Sequence, residues 1–79
     1  MPQRVMNMTP DLQPVHSSLL AAVGYDAQTR QLYVRFLRTQ ALYVFHDLDE
    51  AVYKQLLAAG SMGDYFNEEI RDRYHYTRL

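Results

Sequence analysis

The feature that most constrains this chain is an alternation. Leu32, Val34 and Phe36 interleave with Tyr33, Arg35 and Leu37, and a period of two puts the first three on one face of a β-sheet. A strand needs partners, and the flanking sequence supplies two. Ser18 to Tyr25 is a short apolar stretch closed by Asp26-Ala27-Gln28-Thr29-Arg30. The Asp and Thr of that group hydrogen-bond their own backbone in turns, which predicts a strand followed by a hairpin loop of four or five residues. After Arg38-Thr39-Gln40 comes Leu42-Tyr43-Val44-Phe45-His46, rich in the aromatic and branched residues that suit a third strand. The expected arrangement is a meander of three antiparallel strands. The third is apolar on both faces, so one side meets helices and the other is either covered or a binding surface.

The signal changes at Asp47-Leu48-Asp49-Glu50. Asp47 with Glu50 three positions on forms a capping box, with Asp49 as the alternative cap, and acids suit the positive end of a helix. Val52, Tyr53, Leu56 and Leu57 then recur at helical spacing, with Glu50 and Lys54 one turn apart on the outer side. Gly60 is expected to end this helix. Ser61 is expected to cap a second, short one in which Met62, Phe66 and Ile70 recur every four residues. The expected fold is α+β, a three-stranded antiparallel β-meander followed by two short α-helices packed on one face.

Length and composition bound what such a fold can do. With 79 residues, 48% apolar and 22% charged, the chain has one modest core and no room for a large catalytic pocket. Pro2, Pro10 and Pro14 punctuate a stretch without period, so residues 1–14 are expected to be a flexible N-terminal tail and residues 15–79 a single domain. There is no cysteine, which removes disulfides and thiolate chemistry and fits the cytoplasm. No signal-like or membrane-spanning run occurs, so no membrane association is expected.

A net charge of −1 supplies no global field for nucleic acid. Any such contact must be local, and seven of the eight cations are Arg, the side chain suited to phosphates and to stacking on rings. Arg35 and Arg38 flank a hairpin, and Arg71, Arg73 and Arg78 interleave with Tyr74 and Tyr76. Cation and ring together suit single-stranded nucleic acid. Asp72 and a terminal carboxylate offset much of the tail's charge, so ordinary solvated charge is the simpler reading of it. Phe36, Tyr53 and Phe66 fall on inward stripes and are assigned to the core. Ser61-Met62-Gly63-Asp64 has the small residues of a phosphate cradle, but capping explains them better. His16, His46 and His75 lack ligand spacing, Ser17 and Ser18 lack the context of a nucleophile, and Asp47, Asp49 and Glu50 fall at what is expected to be an exposed helix start rather than in a cleft suited to acid–base catalysis. No enzyme, metal or cofactor is expected.

Taken in order, Ser17-Ser18, Val23-Gly24-Tyr25-Asp26, Leu32-Tyr33-Val34-Arg35-Phe36, Tyr43-Val44-Phe45 and Ser61-Met62-Gly63-Asp64-Tyr65-Phe66-Asn67 with Ile70-Arg71 resemble the KTSC domain. This small module is named for its occurrence at the C-terminus of some lysyl-tRNA synthetases and is also found alone in bacterial proteins. The resemblance runs from about His16 to the end. It departs from the family's central pattern of two tyrosines flanking one residue: the second is Phe45, and the expected preceding glycine is absent. The synthetase context implies RNA, tRNA included, as a partner. The expected function is a noncatalytic RNA-contacting module using Arg35, Arg38, Tyr43, Arg71, Arg73 and Tyr74. The alternative is a protein-interaction module, a monomer or weak homodimer that self-associates through a sheet edge.

Overall fold

A computed structural model describes residues 10–79. The strands are β1 (Gln13–Pro14), β2 (Leu20–Asp26), β3 (Gln31–Phe36), β4 (Leu42–Phe45) and β5 (Tyr76–Arg78). They form one antiparallel sheet in the order β1-β2-β3-β4-β5. Between β4 and β5 run helix α1 (Glu50–Ala58), helix α2 (Met62–Tyr65) and a π-helical turn over Phe66–Ile70. The α+β class and the two helices agree with the sequence reading. The strand count does not, because five strands replace the expected three. The additions are short edge strands whose pairing comes from their neighbours. Gln13 sits opposite Val23, and Tyr76 opposite Phe45. The sheet therefore begins before residue 15, and residues 1–9 lie outside the described part.

The hairpins are set by local hydrogen bonds. Asp26 Oδ1 accepts from the backbone N–H of Gln28 at 3.0 Å and of Thr29 at 3.4 Å, the self-bonding turn expected for Asp. Thr39 Oγ1 accepts from the N–H of Ala41 at 3.2 Å. Arg30, Gln40 and Asp47 have φ of 57°, 60° and 55°, left-handed backbone that lets the chain reverse or bend next to a strand end. Gly24 answers a different constraint. A Cβ there would lie 2.7 Å from the carbonyl oxygen of Asp11, so the approach of the N-terminal segment to β2 requires glycine.

Asp47, in its left-handed conformation, is not the helix cap, and Asp49 takes that position without a capping side-chain bond. The Asp49 carboxylate instead pairs with Arg30 across from the first hairpin. Helix α1 stops at Ala58, just short of Gly60 as expected, with Ala59 in extended backbone, and no described glycine has positive φ, so the stop is not a left-handed glycine cap. Ser61 caps α2 as expected, its Oγ accepting from the N–H of Asp64 at 3.2 Å. The chain then widens, with the N–H of Arg71 donating to the carbonyl of Phe66 at 2.9 Å, a bond of five-residue span.

Leu20, Val23, Leu32 and Val34 from the sheet meet Leu48, Leu56, Phe66 and Ile70 in a core without solvent exposure. Burying each such side chain contributes about 1.5–3 kcal/mol. No helix among the described residues is long and apolar enough to cross a membrane.

Candidate functional site: a ring-lined cleft beside β4 and β5

Alternation along β3 and β4 puts Phe36, Tyr43 and Phe45 on the helix-bearing face, and the register Phe45↔Tyr76 and Tyr43↔Arg78 puts Tyr76 and Arg78 there too. The helices leave this end of the face open. The result is a cleft of 470 Å³, within the roughly 300–1,000 Å³ range of small-ligand sites. Its floor is rigid. Phe45 and Phe66 are buried and meet edge to face, ring centres 5.4 Å apart at 86°. Phe36 sits edge-on to Tyr43 at 5.2 Å and to Phe66 at 5.6 Å. The Tyr76 ring, centred 5.5 Å from both Tyr43 and Phe45, forms the outer wall and is 57% exposed.

Charge stands at the rim. Arg38 and Thr39 come from the β3–β4 hairpin, and Arg71 and Asp72 come directly after the π turn. One extra residue in a turn rotates the next side chains by about 100° relative to a regular α-helix, and widened turns of this kind frequently occur at functional sites. Here the turn delivers Arg71 and Asp72 to the cleft. The Arg71 Nη1 donates to Asn67 Oδ1 at 3.0 Å. Arg78 lies 5.9 Å from the centre of the Tyr43 ring, a cation–π distance. The hydroxyls of Tyr43 and Tyr76, the Arg38 guanidinium and the Asp72 carboxylate make no hydrogen bond or ion pair among the described residues. They are free to meet a ligand.

Of the six residues singled out from sequence, the cleft gathers Arg38, Tyr43 and Arg71. Arg35 alternates with Val34 and Phe36 and so lies on the opposite face, its Nη1 donating to the carbonyl of Gln40 at 2.7 Å. Arg73 Nε donates to the carbonyl of Glu68 at 3.2 Å. Tyr74 is half-buried against the core. Sequence reasoning did not assign Phe36, Asp72 or Tyr76 to a site. The alternation Tyr76-Thr77-Arg78 was the available signal for the last, since a strand there turns ring and cation to one side.

On the opposite face, Gln31 Nε2 lies 3.1 Å from His46 Nδ1, and His46 Nε2 lies 2.9 Å from Thr77 Oγ1. The Gln31 Oε1 also accepts from Thr29 and Tyr33. His46 thus links β3 to β5. No group of three or more His, Asp or Glu able to hold a metal occurs among the described residues.

Comparison with known proteins matches these elements. A protein of Tsukamurella paurometabola is 35% identical over 68 residues, covering 86% of this chain and 100% of that protein. An uncharacterized protein of Stutzerimonas stutzeri is 35% identical over 66 residues, covering 82% of this chain and 92% of the other. The crystal structure of a KTSC domain protein from Yersinia pestis superposes with a TM-score of 0.83 at 26% identity, covering 87% of this chain and 96% of that one. The KTSC domain model itself matches residues 16–74, and the chain belongs to the KTSC domain family.

Proposed function

We propose that this protein is a noncatalytic binding module that takes single-stranded RNA, such as an unpaired tRNA segment, into the ring-lined cleft. The observation that carries this reading is the pairing of partly exposed rings, Tyr43 and Tyr76, with the arginines Arg38 and Arg71 around one opening. Unstacked bases find rings to lie on, at about 1–3 kcal/mol per base, and phosphates find forked donors. With a net charge of −1, affinity comes from these local contacts, so it is modest and salt-dependent. The partner also sets the compartment we propose, the cytoplasm.

Titration of fluorescent single-stranded and duplex RNA tests this. Single strands should bind and duplexes should not. Two phosphate contacts predict about a sevenfold loss of affinity between 50 and 200 mM salt. Absence of single-strand binding at the lower salt overturns the reading.

A second reading has its own observation. The sheet ends at β5, whose outer edge is unpaired among the described residues, with Tyr76 and Leu79 57% and 61% exposed. At the other end, Pro14 blunts β1 because it has no N–H to offer. An open edge of this kind accepts a strand from a second chain. Light scattering across protein concentration separates the two: a mass that doubles with concentration supports edge pairing, and a constant monomer removes it.

A further inference from the structure

We infer that the cleft is selective for guanine, with Asp72 as the residue that reads the base; the inference rests on the cleft's being a single-stranded RNA site. A carboxylate is out of place where phosphates are to be held, since it weakens their attraction. Its presence calls for a compensating role. Internal pairing does not supply one, because the ion pair among the described residues is Arg30 with Asp49. Arg71 is engaged by Asn67, and Asp72 makes no hydrogen bond among the described residues. Both carboxylate oxygens therefore remain as acceptors at the wall of a ring-floored cleft.

A base lying on Tyr76 or Tyr43 presents its edge, and in single strands the Watson–Crick edge is open to side chains. Guanine alone offers two adjacent donors there, N1–H and the N2 amino group, which match the two oxygens of one carboxylate. Adenine and cytosine each set one amino donor beside a ring-nitrogen acceptor, and uracil sets one N–H between two carbonyls. Against those three, the second oxygen of Asp72 meets a lone pair. The same residue attracts one base and repels the rest, at some loss of general affinity, as specific sites commonly do.

The test uses four single strands of uridines with guanine, adenine, cytosine or uracil at one central position, and a fifth with inosine, which keeps N1–H and lacks the amino group. At low salt the guanine strand should bind about tenfold tighter than the adenine strand, with inosine between them. Asp72 is exposed, so its variants keep the fold. Asp72→Ala should abolish the preference and, by removing a negative charge from the cleft, tighten the all-uridine strand. Asp72→Asn, which exchanges one acceptor for a donor, should move it toward adenine and cytosine. Equal binding of all five strands, or a guanine preference surviving in Asp72→Ala, overturns the inference while leaving the RNA site standing. Failure of every strand to bind removes both.

Discussion

The helix-bearing face of the sheet is closed at one end and open at the other, and tyrosines do opposite work at the two ends. At the β2 end, the Tyr25 ring stacks on Tyr53 with centres 5.2 Å apart and planes 16° from parallel. The Tyr25 hydroxyl donates to the carbonyl of Leu48, and the Tyr65 hydroxyl donates to Gln55 at 2.8 Å. The Tyr25 and Tyr53 rings fill space, the Tyr25 hydroxyl ties the sheet to the loop before α1, and the Tyr65 hydroxyl ties α2 to α1. At the β4–β5 end, the Tyr43 and Tyr76 rings also pack together, but their hydroxyls have no internal acceptor among the described residues. A small domain needs aromatic area to build a core. Tyr25 differs from Tyr43 and Tyr76 in the fate of its hydroxyl, whereas Tyr53, whose hydroxyl also makes no hydrogen bond among the described residues, differs in the burial that raises its pKa.

Phe66 belongs to both ends, being fully buried and also part of the cleft floor. Phe66→Ala should cost about 3–5 kcal/mol in a urea melt; a cost near that of a surface change would mean that the two ends do not share one core. Hydroxyl deletion sharpens the contrast. Tyr25→Phe leaves the Leu48 carbonyl without its donor and should cost about 1–3 kcal/mol. Tyr43→Phe and Tyr76→Phe should stay within about 0.5 kcal/mol. Equal costs at the two ends would break the comparison.

Alkaline pH probes the closed end on its own. Burial raises the pKa values of Tyr25, Tyr53 and Tyr65 above the ordinary value of 10.0. The fold thus favours the neutral phenol, a stabilisation fully present below the unfolded-state value and lost as pH rises through the raised ones. Urea midpoints should hold up to about pH 10 and fall beyond it, less steeply in Tyr53→Phe. A midpoint independent of pH there would contradict the burial of these hydroxyls. The smallest effect is expected at Arg30 and Asp49, an ion pair with side chains 52% and 70% exposed. Arg30→Ala should cost at most about 1 kcal/mol in the same melt, and a larger loss would give the first hairpin a greater share in closing this end.

The central meander was legible because alternation over Leu32–Phe36 has one physical cause, a half-buried pleat. The edge strands were not. Gln13–Pro14 and Tyr76–Arg78 are too short to show a period, and they are strands because a neighbour offers hydrogen bonds. The π turn was equally hidden, since Met62, Phe66 and Ile70 at spacings of four fit a regular helix nearly as well. For the site, residue type was informative and position was not. Arg35 and Arg38 look equivalent in sequence, yet alternation sends Arg35 to the far face opposite Leu42 while the hairpin leaves Arg38 at the cleft. Asp72 was read as a charge that dilutes the tail, because its placement depends on the turn before it.

Backbone amide spectra recorded while single-stranded RNA is added at low salt test the central claim most directly. The account predicts shifts concentrated at Phe36, Arg38, Tyr43, Arg71 and Tyr76, with Tyr25 and Tyr53 unmoved. Shifts confined to the closed end or to the Arg35 face, or none at all, would contradict it.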